Sequence, residues 1–384
     1  MLDSTRDRLL LACAKGRWHP KALEEARQIV CERDVDWDNF HARVAKHSMA
    51  PLIFHTLKDD EGILPSWVME KLQSAYYHSA RRNTLLYQEL DHIVLAFNEA
   101  QIPVILLKGV ALATAAYGNV ALRPMADIDI MVRREDMRRA ERLFLEHGYE
   151  VRDHAHSYLR HATFTRESNG WSGHIEVHRH IVSSAYYRKA IPEEWLWKHS
   201  IEVTIEGNSV LVLSPEAAIL HTCLHMLDHI AAEGTLLWLC DIVEIARCHE
   251  IDWDALVGRA AEFKITLPVR SILRETKELF DLPMPDDVLQ RMFAYQSGFL
   301  EKKAYESCLS PTRSSASKTL LDFFAGEGLG ARFGLLLPRL FPSRNYMMAR
   351  YSIRNPRLVP VYYPYMIARA VLDGLRALGH SQAG

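Results

Sequence analysis

A short run of alternating acidic and apolar residues constrains the fold of this chain more than any other feature. The run is Asp127-Ile-Asp-Ile-Met-Val132. Successive side chains of a β-strand point to opposite faces, so the run predicts a strand with two carboxylates on one face and isoleucines in the core. Like charges held side by side repel each other unless a cation lies between them. The run therefore predicts a strand at a cation site, and the alternative is a solvated edge strand.

The surrounding hydrophobic pattern predicts helices on either side of a mixed sheet. Apolar residues recur at helical spacing over 90–97, whereas 104–107 is a short apolar run of strand length. Ser214-Pro-Glu216 combines a capping hydroxyl, a proline suited to the first helical position and an acid in the first turn, so a helix begins there. Further strands are expected at 149–152, 162–166, 174–181, 202–205 and 210–213.

These patterns together predict an α+β fold with three domains. Helical periodicity dominates the first hundred residues and the last part of the chain, and the strand candidates lie between them. The expected domains are an N-terminal helical domain at 1–100, a mixed-sheet core with helices at 101–213, and a C-terminal helical domain at 214–384.

Composition limits the partners and the compartment of the protein. The 384 residues include 46 Lys plus Arg and 48 Asp plus Glu, a net charge of -2, which disfavours a nucleic acid as the main partner. The six cysteines are scattered without a C-x-x-C pair, as is typical of a reducing cytoplasm. We expect a soluble, cytoplasmic protein, because no apolar stretch reaches the roughly 18 residues that span a bilayer and the first residues lack signal-peptide features.

Paired carboxylates on a strand suit chemistry on phosphate esters. Phosphoryl-group transfer from a nucleoside triphosphate needs a cation that gathers the phosphate oxygens and offsets charge at the attacking and leaving atoms. Carboxylates are the usual protein ligands of Mg²⁺, a hard cation. The run at 127–132 therefore favours a magnesium site that serves such a transfer.

The segment around this strand resembles the polymerase β superfamily of nucleotidyltransferases. From Leu106 to Val132 the expected order is strand, glycine turn, helix, loop and acidic strand. The Lys-Gly, Tyr, Arg-Pro and Asp-x-Asp signature in this segment is similar to that of a bacterial family of uncharacterised nucleotidyltransferase-like proteins. The resemblance continues in His174-Ile-Glu-Val-His178, where that family has a strand bearing a third acid, and in four residues of the helical part. These four are His221, His225, Trp238 and Asp241.

The resemblance implies a nucleotidyltransferase core at 101–213 and a role for each matching residue. Asp127, Asp129 and Glu176 would be the catalytic residues and the ligands of Mg²⁺, with Mn²⁺ as the alternative ion, and Glu176 would also help to deprotonate the acceptor. Nucleotide binding is implied for three further residues. Gly109 would let the backbone approach the phosphates at a helix N-terminus, while Lys108 and Arg123 would pair with the leaving pyrophosphate.

The implied activity is transfer of a nucleoside monophosphate from a triphosphate such as ATP, by a two-metal mechanism, to an unidentified acceptor. The acceptor could be a small molecule, a peptide or a protein, because this scaffold serves many substrates. The sequence departs from the superfamily at one turn, where Lys108-Gly109 replaces the usual Gly-Gly or Gly-Ser. A catalytically weak nucleotide-binding protein on the same fold is therefore a second hypothesis.

Histidines near the acids support a third hypothesis. His174, Glu176, His178 and His180 are expected on one strand face, an arrangement that a metal-dependent hydrolase could use. A second set, His221, His225 and His229, recurs at helical spacing and could bind a metal or line a cleft. Histidines that are partly buried at an interface are the more common reading of such a set.

Tyr117 is expected in the core with a hydrogen-bonded hydroxyl, and Trp238 and Asp241 are expected to anchor a helix against the catalytic core.

Overall fold

The structure is a computed structural model that describes most of the chain. The described residues are 5–32, 34–60, 62–152, 161–168, 171–182, 184–205, 207–229, 236–309, 341–342, 344–351, 353 and 355–380.

Helices form the first part of the chain. They are α1 (Thr5–Lys15), α2 (Ala22–Glu32), α3 (Trp37–Lys46), α4 (Ala50–Leu57) and α5 (Ser66–Glu99). The 34-residue helix α5 carries the apolar stripe at 90–97, and this stripe is buried. Because α5 packs along the sheet, it links the N-terminal helices to the core.

The middle of the chain alternates between strands and helices. The strands are β1 (Val104–Leu106), β2 (Ile128–Val132), β3 (Glu150–Val151), β4 (His161–Ser168), β5 (Trp171–His178), β6 (Ser200–Ile205) and β7 (Asn208–Leu213). The helices are α6 (Lys108–Ala115), a 3-10 turn at Val120–Leu122, α7 (Met137–Glu146), α8 (Ala185–Ala190) and α9 (Glu193–Lys198).

Helices also form the last part of the chain. They are α10 (Pro215–Asp228), α11 (Leu236–Cys248), α12 (Trp253–Glu262), α13 (Thr266–Phe280), α14 (Asp286–Ala294), α15 (Phe299–Leu309), α16 (Arg344–Tyr351), a 3-10 turn at Pro356–Leu358, and α17 (Val359–His380). The predicted start of α10 is confirmed, since Ser214 caps the helix and its hydroxyl accepts a hydrogen bond from the Ala217 N–H at 3.3 Å.

The described strands form one seven-stranded mixed sheet in the order β3-β4-β5-β2-β1-β7-β6. The central strand β2 is antiparallel to β1 and parallel to β5, and β1 is parallel to β7. The predicted α+β class, a mixed sheet flanked by helices, is confirmed. The described strands all lie between Val104 and Leu213.

The two faces of the sheet have different neighbours. On one face, Ile128 and Ile130 belong to an aliphatic and aromatic cluster with residues of α5 and α7. On the other face, Ile105 and Met131 belong to a larger cluster that includes the C-terminal helices and α1 to α4. Because side chains alternate along β2, Asp129 lies on the same face as Met131, toward the C-terminal helices.

Two predicted element boundaries differ from the structure. Strand β2 begins at Ile128, so Asp127 lies immediately before it rather than within it. Strand β5 ends at His178 and the chain bends over 179–181, so the prediction that His180 lies on the face of this strand is wrong. The imidazole of His180 instead contacts the Ile191 carbonyl at 2.8 Å, because the chain has left the sheet at that point.

Among the described residues, no helix combines the length and the apolarity that crossing a membrane requires.

We expect Phe144→Ala to lower the free energy of unfolding by about 4 kcal/mol, since it removes a buried ring and leaves a cavity. Phe144 stacks on Phe164 at 4.4 Å between ring centroids and also contacts Phe97 and Tyr149. Denaturant unfolding followed by circular dichroism measures the change. The matched control is Phe293→Ala, at a side chain that is 52% exposed, which should change it by less than about 1 kcal/mol. Equal losses would contradict the assigned core.

Candidate active site

The acidic residues of two neighbouring strands meet at the centre of the sheet. Strands β2 and β5 are parallel, and their register places Asp129 opposite Glu176 and Met131 opposite His178. Asp129, Glu176 and His178 each offer one ligand atom, and these atoms all lie within 4.8 Å of one another. This group of three, which we call the acidic cluster, is the set of potential metal ligands that the described residues form.

The carboxylate of Asp129 is the centre of the acidic cluster. It is 4% exposed, and its Oδ1 accepts a hydrogen bond from Lys108 Nζ at 2.7 Å and lies 2.7 Å from His178 Nε2. Burial alone would raise the pKa of Asp129, but the adjacent Lys108 ammonium and His178 ring outweigh burial and hold it well below its usual range. Asp129 is therefore ionised, as a metal ligand must be.

Glu176 and His178 form the other side of the acidic cluster. The His178 Nε2 atom lies 3.4 Å from a carboxylate oxygen of Glu176. This contact lowers the pKa of Glu176 despite its partial burial. Burial opposes protonation of His178, but the two carboxylates more than offset it and raise the pKa of the ring. The cluster therefore balances two negative charges with a lysine and a histidine.

Asp127 lies beside the acidic cluster rather than inside it. Its side chain is partly buried, and burial together with the negative charges of Asp129 and Glu176 raises its pKa to about 6. The loop that carries Asp127 is fixed by α5, because Arg82 donates hydrogen bonds to the carbonyls of Met125 at 2.8 Å and Ala126 at 2.6 Å. A cation bound by the cluster would offset the repulsion that Asp127 experiences.

Lys108 reaches the acidic cluster from the turn between β1 and α6. Its φ is +51°, in the left-handed region that favours glycine and costs other residues about 1 kcal/mol or more. In this chain the residue in that conformation is a lysine. The ionic contact with Asp129 offsets the cost of that conformation. Its predicted role in phosphate binding stays a prediction.

Gly109 follows at the first turn of α6 and is buried. A Cβ atom at this position would lie 2.7 Å from the side chain of Met125 and 3.1 Å from Arg123 Nη1. Close packing against these two side chains therefore accounts for a glycine here. Contact with phosphates, which the resemblance implies for Gly109, is a separate prediction that this packing does not test.

Arg123 pairs with an acid from the C-terminal helices. Its guanidinium donates to both carboxylate oxygens of Asp241 on α11, from Nη2 at 2.8 Å and from Nε at 3.2 Å. Both side chains are buried, and the Tyr117 hydroxyl donates to the same carboxylate at 2.8 Å. Asp241 therefore anchors α11 to the core, as expected, and Tyr117 is a core residue with a hydrogen-bonded hydroxyl. Pairing of Arg123 with pyrophosphate stays a prediction.

The histidines of α10 lie near the acidic cluster without joining it. His225 contacts the rings of His229 and Trp238 at centroid distances of 4.6 Å, and His221 contacts His225 at 6.2 Å. Burial lowers the pKa of His221 to about 3, so its ring is neutral. Among the described residues these histidines form no metal-binding group of three or more.

Sequence reasoning missed one member of the site and one partner. The pattern places His178 on the same strand face as Glu176 but favours a separate metal site for it, whereas the structure brings it into the acidic cluster with Asp129. No local signal pairs Asp241 with Arg123, because 118 residues separate them.

Comparison with known proteins identifies the family. Residues 33–281 match the family model described as an uncharacterised nucleotidyltransferase. The chain belongs to this nucleotidyltransferase family. No match was found among curated proteins.

Two solved structures are similar to this chain. An antigenic nucleotidyltransferase-like protein from Paracoccidioides brasiliensis is 14% identical with a TM-score of 0.38, covering 56% of this chain and 94% of its own. The antibiotic-resistance factor ANT(2'')-Ia is 16% identical with a TM-score of 0.31, covering 52% of this chain and 96% of its own. Similarities this distant say nothing about the substrate of this chain.

We expect Asp241→Asn to lower the free energy of unfolding by about 3 kcal/mol, since it leaves the buried charge of Arg123 without a counter-charge. Chemical denaturation measures the change. Asp254→Asn is the matched control, because the Asp254 side chain is 82% exposed in its ion pair with Arg291 and its loss should cost less than about 1 kcal/mol. A similar small loss at position 241 would mean that the pair does not hold α11 to the core.

Proposed function

We propose that this protein is a nucleotidyltransferase that moves a nucleoside monophosphate from a triphosphate to an acceptor hydroxyl. One observation carries the proposal. Asp129 and Glu176 lie opposite each other on adjacent parallel strands, in a chain that belongs to a nucleotidyltransferase family. Carboxylates gathered in this way bind divalent cations, and the transfer needs such a cation.

The residues present fit Mg²⁺ or Mn²⁺. Asp129 and Glu176 provide hard oxygen ligands within 4.8 Å of each other, and the raised pKa of Asp127 indicates a third carboxylate near both negative charges. Asp127, Asp129 and Glu176 would hold the metal. When bound, the metal would supply charge stabilisation at the phosphate oxygens. The His178 ring would have to lose its proton before it could join these ligands.

The chain's own residues then account for the remaining requirements of the reaction. The acceptor oxygen forms a bond to the α-phosphorus, the bond from that phosphorus to the bridging oxygen breaks, and pyrophosphate leaves with the bonding electrons. The acceptor proton passes to Glu176. Lys108 lies at the cluster with an ammonium group that can pair with phosphate oxygens, and the N-terminus of α6 faces the same region.

The described residues favour this transferase over a hydrolase that uses the histidine face. His178 belongs to the acidic cluster, but His174 contacts Ser172 at 3.5 Å and His180 contacts the Ile191 carbonyl. Only one imidazole therefore joins the described metal-binding group, whereas zinc hydrolases typically use two or three.

We expect Asp129→Asn to weaken magnesium-dependent triphosphate binding at least tenfold, because the change removes a ligand charge at nearly constant volume. Calorimetric titration of each ribonucleoside triphosphate with Mg²⁺ measures it, with the double variant Asp127→Ala/Asp129→Ala in parallel. The matched control is Asp38→Asn, at an exposed position on α3, which should bind like the wild type.

The titrations, an assay of pyrophosphate release and the metal content of the purified protein together distinguish the three hypotheses. Full binding by Asp129→Asn would show that the site assignment is wrong. Tight triphosphate binding without pyrophosphate release, across small-molecule, peptide and protein acceptors, would identify a binding protein. Zinc in the purified protein and no triphosphate binding would identify the hydrolase.

We expect Lys108→Ala to weaken triphosphate binding by about tenfold, because a charge-assisted contact with phosphate is lost. Lys108→Gly is the matched variant, since it removes the same charge while relieving the backbone at φ +51°. Both variants should lose affinity equally in the calorimetric titration. Wild-type affinity in both would remove Lys108 from the phosphate site, and a loss in Ala alone would assign the effect to the backbone.

A further inference from the structure

A groove lies beside the acidic cluster, between α6, the carboxyl ends of β1 and β7, and α10. Its empty space of about 580 Å³ includes the solvent at its open side. Aliphatic side chains form most of its lining. They include Ala111, Leu112, Ala115, Val212, Leu213 and Ala218.

The groove and the acidic cluster share a residue. Lys108 lines the groove, and its Nζ donates to Asp129 Oδ1 at 2.7 Å. The adjacent lining residue, Leu107, donates its backbone N–H to the Asp129 carbonyl at 3.0 Å. Lys108 and Leu107 therefore connect the lining of the groove to the strand that carries Asp129.

His221 gives this groove a polar group that the protein does not satisfy. The side chain is 3% exposed and lines the groove, and its Nε2 has no hydrogen-bond partner among the described residues. The charges of Lys108 and Asp129 both influence the pKa of its ring. A buried polar atom without a partner costs free energy, and a ligand group that bonds to it recovers that cost.

The lining also limits the chemistry of the ligand. Among the described lining residues, Lys108 is the one permanently charged side chain, and no carboxylate is present to attract a polycation. The Thr222 hydroxyl donates to the Ala218 carbonyl at 2.9 Å, so the other neutral polar side chains of the lining are His221, whose buried Nε2 is unpartnered, and His249. A nucleobase edge, which carries several donors and acceptors, would find few partners here, whereas a hydrocarbon body with one hydroxyl fits.

We propose that this groove binds the acceptor, a small and mainly hydrocarbon molecule whose hydroxyl oxygen accepts a hydrogen bond from the Nε2–H of His221. The inference rests on the proposed nucleotidyl transfer and names the substrate class of the same site. The hydroxyl lies at the end of the groove that meets the acidic cluster. Its oxygen forms the new bond to the α-phosphorus, pyrophosphate leaves, and the proton passes to Glu176.

The test uses 2-naphthol and naphthalene as probes, with the full-length protein and neither nucleotide nor metal present. Probe fluorescence during titration should show saturable binding at one site in the wild type. Naphthol should bind about fivefold more tightly than naphthalene, because it alone has a hydroxyl that can pair with His221. Naphthalene binding that equals or exceeds naphthol binding would overturn the role of His221.

Two variants assign the binding to the groove. Ala115→Leu narrows the opening at an exposed position of the lining and should weaken both probes at least tenfold. Ala45→Leu makes the same change at an exposed position of α3 and should leave both affinities unchanged. His221→Leu should abolish the preference for naphthol while naphthalene binds as before. If His221→Leu does not fold, Ala115→Leu still tests the groove.

Competition with Mg²⁺-ATP separates an acceptor site from a nucleobase site. Simultaneous binding of ATP and naphthol is the expected result, because nucleotide and acceptor must occupy the enzyme together. Displacement of naphthol by saturating Mg²⁺-ATP would assign the groove to the base and overturn the inference. Absence of saturable naphthol binding would also overturn the inference about the groove. If the protein still bound triphosphate in that case, the proposed function would be unaffected. Naphthol binding in a protein that binds no triphosphate would count against the transfer itself.

Discussion

The candidate site depends on how the charge of one buried carboxylate is balanced. Asp129 is almost completely buried. An isolated carboxylate in that position would take up a proton, or the surrounding structure would open to let water reach it. Lys108 from the β1–α6 turn and His178 from β5 keep it ionised. The three side chains come from three separate elements, so their contact also fixes the turn and β5 against β2. A lysine in a left-handed backbone conformation is stable at this turn because of that contact.

Local patterns predicted the parts of the fold that depend on local physics. The alternation at 127–132 predicted strand β2, because side-chain direction alternates along any strand. Ser214 predicted the start of α10, because a capping hydroxyl acts within four residues. Glu176 was found through resemblance rather than pattern, since an acid on a strand has no distinctive local signal.

Contacts between distant elements could not be predicted in the same way. Asp241 pairs with Arg123 only because α11 docks against the loop before β2, and periodicity does not encode docking. His178 contacts Asp129 because β5 lies beside β2, which follows from strand order. His180 was misplaced for a related reason. An alternating sequence does not show where a strand loses its neighbour and the chain turns away.

The parallel register of β2 and β5 makes the chemistry inseparable from hydrocarbon packing. The pairing that places Asp129 opposite Glu176 also buries Ile175 and Val177 against the helices on the other face. A shift of one residue would exchange the two faces and put the glutamate among aliphatic side chains. The penalty for that exchange has two sources, because the isoleucine and valine lose their apolar burial and the glutamate carboxylate is buried without a partner. Ile175 and Val177 therefore help to fix the alignment of β2 and β5, and with it the position of the acids. A substitution near the acids is tolerated only if it leaves this apolar packing in place.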